Sequence, residues 1–389
     1  MPLPLRARCA VFALACTLCV FIWQALTVRY TYAGNWTGLF CTGALYAAPP
    51  SIPGETLFMF QDKFGYDGQA YHYIAHDPFF RRGFDRSIDV PRLRYRRILV
   101  PGLAWLLAAG NDRGIDFAYM AVVLGFILLG AYWLGRFGVL AGYGAWLGLV
   151  FVFVPAVVVS IDRLTVDVAL AACCVGFALY FREWTPWKLW LVLAAAALTR
   201  ETGLLLIAAC ILWLLMQRRF RPALLFITAV LPTACWYIFV NLHTAPKEMQ
   251  FFLTPIPLSG LLGRALHPAL IVGSPAVGLL ANTLDLLALA GVAGALVWAF
   301  LKAFRRVLTP VTLAIYLFAL LAIFLTPGDL WSDSYSFGRT LTPLLLLSAL
   351  DGLAEGNRWP AFAMLLVDPR MALQMGGQIL NVFRGLMRL

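Results

Sequence analysis

Asp67 opens the most chemically loaded stretch of this sequence, Phe64 to Pro101, which reads FGYDGQAYHYIAHDPFFRRGFDRSIDVPRLRYRRILVP. A carboxylate in a Tyr-Asp-Gly-Gln turn is followed by Tyr71 and His72, and then by arginines that end at Arg94, Arg96 and Arg97. A carboxylate, aromatic faces and clustered guanidinium groups are what a site needs to bind an anionic, phosphorylated sugar and to deprotonate its acceptor. Asp67 is the candidate general base, with Gly68 beside it to let a ligand approach closely. Arg94, Arg96 and Arg97 form a clamp whose bidentate geometry suits a phosphodiester or diphosphate. Plainer roles exist for the same residues, since Asp is a good helix N-cap and arginines at a membrane interface snorkel to lipid headgroups.

Three later interruptions of apolar sequence add to the set. Arg200 and Glu201 lie where each ionised group at bilayer depth costs about 2.5 to 3.5 kcal/mol. They either pair with each other or line a polar cavity, with Arg200 facing a lipid phosphate. Asp162 and Asp167 flank a second polar turn, as a helix-end ion pair or as cavity lining. Arg339, at the end of Gly328 to Arg339, is a further cation for the donor. Gln69, Tyr71, His72, Asp162, Asp167 and Glu201 are thus candidates for contacting sugar or acceptor. His72 and His76 are four apart and share a helical face. No HExxH or comparable metal spacing is present, so no metal ligand is assigned; no cofactor is firmly implied, and a divalent metal stays an open alternative without support in the sequence.

The elements that must position these residues are membrane spans. Hydrophobic residues make up 62% of 389 positions and charged residues 13%. With a mean hydropathy of +0.81, this excludes a soluble globular chain. The net charge of +11 is dispersed between apolar segments, so it reports topology and an anionic ligand, not a nucleic-acid surface. Eight cysteines show neither a disulfide framework nor zinc spacing.

The expected fold is an all-α polytopic membrane protein of about ten spans with both termini inside. The first span, Cys9 to Val28, follows Arg6 and Arg8 and puts the organising loop outside. Ile98 to Gly110 is too short to cross about 30 Å of hydrocarbon and reads as an interfacial or re-entrant helix. Phe117 to Leu134, Val139 to Ser160 and Leu164 to Phe181 follow. Leu189 to Met216 must break at Thr199-Arg200-Glu201-Thr202-Gly203, because two short helices return Arg218, Arg219 and Arg221 to the cytoplasm. Ala223 to Val240, Val277 to Leu301, Val311 to Leu325 and Leu341 to Leu353 complete the set. Residues 1–358 thus form one transmembrane domain, with a catalytic loop of juxtamembrane helices at 29–115 and outer loops at 242–275 and 327–338. Residues 359–389 form a cytoplasmic amphipathic tail. The arginines from Arg81 to Arg97 break the positive-inside pattern, which implies that the outer loop uses them.

The ordered series of motifs resembles the GT-C superfamily of polyprenyl-phosphate-sugar-dependent glycosyltransferases, such as lipid A aminoarabinose transferases and protein O-mannosyltransferases. The resemblance rests on Asp67-Gly68-Gln69-Ala70-Tyr71 after the first span, then Arg96-Arg97-Ile98-Leu99-Val100-Pro101. It continues with Pro155 through Asp162 to Asp167, Thr199-Arg200-Glu201, and Arg339-Thr340-Leu341-Thr342-Pro343. Gly68 and Gln69 stand where those families carry a second acid, and no large extracytoplasmic domain follows the spans. The resemblance implies inverting transfer of a sugar from a polyprenyl-linked donor to a cell-surface glycan, lipid or protein acceptor. The reaction would face the extracytoplasmic side of a bacterial inner membrane. A transporter or flippase for lipid-linked sugars also needs arginines in a polar cavity, but it should show paired repeats with broken helices, and no internal repeat is evident.

Overall fold

Prolines divide the apolar sequence into helices. The computed structural model describes residues 4–45, 48–245, 252–268 and 274–387. In chain order its helices are α1 (Leu5–Thr31), α2 (Asp67–His76), α3 (Pro91–Arg96), α4 (Leu99–Leu107), α5 (Asp112–Leu140) and α6 (Pro155–Arg163). Then come α7 (Asp167–Arg182), α8 (Pro186–Thr199), α9 (Leu204–Met216), α10 (Phe220–Ile227), α11 (Leu231–His243) and α12 (Ser259–Leu266). The last six are α13 (Pro275–Phe304), α14 (Pro310–Ile323), α15 (Ser334–Ala354), α16 (Trp359–Leu365), α17 (Asp368–Gln374) and α18 (Gly376–Leu386). Pro91, Pro155, Pro186, Pro275 and Pro310 each sit in the first turn of their helix, where the missing N–H costs nothing.

Four helical segments are long and apolar enough to cross a membrane: Leu5–Thr31, Asp112–Leu140, Phe220–His243 and Pro275–Phe304. A fifth is added if Ala145–Phe153 and Pro155–Arg163, bent by 61°, count as one span. Val11, Leu14, Leu18 and Ile22 of α1 and Phe300 and Phe304 of α13 point outward, as suits a surface in lipid. Two helices form the centre: α7 is buried from Asp167 to Tyr180, and α15 from Ser334 to Leu353 except at Ser336. A helix apolar on all sides belongs inside a bundle. Asp167 begins one of these central helices, and Arg339 lies in the second turn of the other.

The break at Thr199 to Gly203 falls where the charge argument requires it. Arg200 is extended (φ −160°, ψ 145°) between α8 and the 3₁₀ turn Glu201–Gly203. The juxtamembrane helix α4 is only 9 residues long. Three expectations need correction. The chain between 139 and 160 is not one helix: α5 runs on to Leu140, Gly142 and Gly144 take positive φ (84° and 97°), and a 3₁₀ helix Ala145–Phe153 bends into α6. The 327–338 loop is shorter than expected, because Asp333 caps Ser336 N–H at 2.8 Å and starts α15 at Ser334. The tail is not a segment lying away from the first loop. After α16 and α17 the chain returns so that Gln378 donates to Tyr32 (2.7 Å) and to Asp162 (2.6 Å), and Gly385 lies against the Tyr30 ring. An added Cβ there would sit 2.2 Å from Tyr30 Cδ1. Within the outer loop expected at 242–275, residues 246–251 and 269–273 lie outside the described residues. Two short β pairings depart from an all-helical fold among the described residues: β1 (Thr42–Gly43) runs parallel to β2 (Met59–Phe60), and Leu253 forms an isolated antiparallel bridge with Leu325.

Candidate functional site

Helix α2 begins after Tyr66, which is extended, so Asp67 is the first helical residue and not the cap. A carboxylate in the first turn is favoured by the helix dipole. Gly68 is required here for a reason other than the expected one. A Cβ would lie 2.1 Å from the Arg163 carbonyl oxygen and 2.8 Å from that of Phe40. The close approach is by the protein's own backbone, and it seats the Asp67 end of α2 against the end of α6.

From that position Asp67 Oδ2 accepts from Arg94 Nη1 (2.7 Å) and Arg339 Nη1 (2.7 Å). Arg94, on α3, also forks onto Asp89, with Nε to Oδ1 at 2.9 Å and Nη2 to Oδ2 at 2.7 Å. Arg339 stacks over Tyr66, its guanidinium carbon 5.0 Å from the ring centre. It also lies 3.7 Å from Asp167 Oδ2, whose other oxygen accepts from Arg200. Arg97 forks onto Glu201 (3.1 and 2.5 Å) and donates to Tyr71 Oη (3.0 Å). Arg200 and Glu201 therefore do not pair with each other: each bonds a partner from another element. Gly203 makes the turn that carries them fit, since a Cβ there would fall 2.1 Å from the Ala196 carbonyl oxygen on α8. On α15, Pro343 lacks the N–H that would bond the carbonyl of Arg339 four residues earlier.

Four arginines, Arg94, Arg97, Arg200 and Arg339, thus face four carboxylates, Asp67, Asp89, Asp167 and Glu201. Among the described residues, the four guanidinium charges match the four carboxylate charges. Burial alone would raise the Asp67 pKa, but Arg339, then Arg94 and Arg97, outweigh it and hold the carboxyl far below the usual carboxylate range. Asp67 and Arg94 line a cavity of about 210 Å³ with Tyr66, Gln69, Ser87 and Asp89. This is smaller than the roughly 300–1,000 Å³ of pockets for whole drug-sized ligands. Nε of Arg200 and of Arg339 is buried without a hydrogen-bond partner, which leaves donors for an anion.

Other expected site residues are elsewhere. Arg96 turns away to α11, where it donates to Asn241 Oδ1 (3.0 Å) and lies over Tyr237 (5.0 Å). Gln69 is a structural tie, accepting from Gly43 N–H (3.2 Å) and donating to Phe64 O (3.2 Å), although it also lines the cavity. Asp162 belongs to an adjoining cluster with Arg163 (2.9 Å), Tyr335 (2.9 Å) and Gln378 (2.6 Å). The edge-to-face pair of Tyr66 and Tyr335, 6.3 Å between centres, joins it to the site. Asp77 and Asp89 are not solvated loop residues. Asp77 is buried and accepts from the Arg81 (2.7 Å) and Arg82 (2.9 Å) N–H groups.

His72 faces away from Asp67. With His76, Glu55 and Asp116 it forms a group whose ligand atoms all lie within 4.8 Å of one another, where the sequence assigned no metal ligands. Glu55 and Asp116 were missed because they come from separate segments. The one signal was the four-residue spacing of the histidines.

No protein-family model, curated protein or solved structure matches this chain.

Proposed function

We propose that this chain is an integral membrane glycosyltransferase of the GT-C type, which moves a sugar from a polyprenyl-(di)phosphate donor to a cell-surface acceptor. The observation that carries the reading is Asp67 held between Arg94 and Arg339, 2.7 Å from each, where the ends of the two central helices meet the first loop. A carboxylate locked by two guanidiniums is a weak base. A donor phosphate offers those guanidiniums a competing bidentate partner, and as they shift onto it Asp67 regains basicity.

In the reaction the acceptor hydroxyl oxygen forms a bond to the anomeric carbon while the bond from that carbon to the phosphate oxygen breaks, with inversion. The acceptor proton passes to Asp67, and the negative charge left on the lipid phosphate is taken up by Arg339, Arg94, Arg97 and Arg200. Tyr71 orients Arg97, and Asp167 and Glu201 hold the arginines ready in the free protein. Arg96 contacts only the rim of this arrangement.

We count the short and broken helices as crossings along with the four or five long ones, about ten in all, with the tail packed back against Tyr32 and Asp162. In this reading Tyr30 to Arg97 and Gly328 to Phe337 face the extracytoplasmic side of a bacterial inner membrane and Arg219 and Arg305 the cytoplasm. Cysteine-accessibility labelling that found positions 67 and 219 on one side would overturn it. The test of function is a screen of polyprenyl-linked sugars with the purified protein and mass spectrometry of the products. A glycosylated acceptor formed by the wild type and not by Asp67→Asn supports the reading. Net movement of intact lipid-linked sugar across vesicles without transfer would instead support a flippase.

A further inference from the structure

The far end of α2 carries a second constellation that the transfer chemistry does not use. His72 and His76 are wholly buried side chains on one face of α2. Glu55 reaches them from the loop before β2, and Asp116 from the first turns of α5. His72 Nε2 lies 2.7 Å from Asp116 Oδ1 and 3.2 Å from Glu55 Oε1. His76 Nε2 lies 3.4 Å from Glu55 Oε2 and 3.8 Å from Asp116 Oδ1. Ligands at the usual zinc bond lengths on a tetrahedron are about 3.3 Å apart, close to the spread seen here.

Hydrogen bonding among these groups leaves them unsatisfied. Glu55 Oε1, His76 Nε2 and His72 Nδ1 are buried with no hydrogen-bond partner, an arrangement that costs free energy unless something else binds them; a metal would take up the first two and leave Nδ1 as the protonated nitrogen of His72. The tautomer of His76 is fixed from behind, because its Nδ1 bonds Asp112 Oδ1 at 2.8 Å. With Nδ1 carrying the proton, the Nε2 lone pair faces the cluster, the usual arrangement of a carboxylate orienting a metal-bound histidine. The His72 ring is clamped flat on Phe40, 4.0 Å between centres at 13°. Charge points the same way: among the described residues Glu55, Asp112 and Asp116 pair with the two histidines and with one arginine, Arg82, which lies 2.7 Å from Asp112. With neutral histidines this leaves two negative charges.

We propose that Glu55, His72, His76 and Asp116 bind one divalent transition-metal ion of the zinc type in a closed, four-ligand site. Two imidazoles and two carboxylates suit zinc, and four protein ligands with both histidines buried mark a structural site. Its effect is to pin the outer loop, α2 and α5 together, which fixes the helix whose other end presents Asp67. The proposal does not depend on glycosyl transfer, because the metal is read directly.

The test is elemental analysis of tag-free protein purified in detergent, with thermal unfolding measured before and after chelation. About one zinc per chain is expected in the wild type and in Asp67→Asn, and less than about a tenth of that in His76→Ala, with melting lowered by chelation and restored by zinc. Asp112→Asn, which touches no metal, should retain the fold and weaken zinc binding by about 10- to 100-fold. Should His76→Ala fail to fold, cobalt(II) loaded into stripped wild type decides the matter. Intense tetrahedral d–d bands support the site. Absence of both metal uptake and any change in melting with zinc in the wild type overturns it.

Discussion

At its N-terminal end α2 offers Asp67 to two arginines. Toward its C-terminal end, five and nine residues on and about 7 and 13 Å away along the helix, His72 and His76 meet more carboxylate than cation. The first arrangement is balanced and has guanidinium N–H groups to spare; the second is short of positive charge and has lone pairs to spare. On the two readings proposed above, one helix joins a site that exchanges with an anion to a site that holds a cation. The mobile partner differs too: at the Asp67 end the arginines come from three separate helical segments and can be redirected, whereas His72 and His76 are held by ring stacking and by Asp112.

The comparison breaks first at Asp67. Asp67→Asn should lower turnover by about a hundredfold or more, the scale for losing general-base help, while lipid-phosphate binding is kept or improved because Arg94 and Arg339 are released. Kinetics with a defined donor and acceptor check this. Asp89→Asn, which leaves the pairing of Asp67 with Arg339 in place, should be much milder, and equal losses in the two variants would return Asp67 to a structural role.

A second effect separates binding from stability. Arg200→Ala leaves Asp167 buried with only Arg339, 3.7 Å away, and should cost about 3 kcal/mol of stability, the lower end for breaking a buried pair. Adding Asp167→Asn should recover part of this in thermal unfolding. Arg97→Ala should weaken donor binding by about 1.5 to 3 kcal/mol, with lysine rescuing only partly because it lacks the fork.

The pH response follows from the Asp67 pair. Its folded pKa is depressed, so its contribution to stability is complete above the unfolded value of about 3.9 and is lost only as pH falls below that. In the free protein kcat/KM should therefore show no acid limb from Asp67 above about pH 4, as a pH–rate profile will test. The smallest effect belongs to Arg96→Ala. Its contacts are a hydrogen bond and a cation–π contact at the rim, so donor affinity should change by about 1 kcal/mol or less.

Much of the Asp67 end was legible in sequence because each residue there is costly in apolar surroundings. Asp67, Arg97, Arg200, Glu201 and Arg339 stand out for that reason, and the helix break at Arg200 follows from the cluster at Arg218 to Arg221. What was hidden depends on direction and on distant segments. Arg96 and Arg97 are adjacent, yet the chain leaves α3 between them and sends their side chains to different helices. Asp89 and Glu55 look like solvated loop residues until the fold brings Arg94 and the histidines to them. The returning tail was hidden because its three helices are each too short to register as a span, and Gln378 is an ordinary polar residue until it meets Asp162.

The central claim is that the arginines around Asp67 exist to receive a lipid phosphate. Binding of undecaprenyl phosphate and of undecaprenol to the protein in nanodiscs, for wild type and Arg339→Gln, tests it most directly. The phosphate form should bind the wild type at least about tenfold more tightly, a difference of about 1.4 kcal/mol, and most of that advantage should vanish in Arg339→Gln. Equal binding of the two lipids by the wild type would contradict the account.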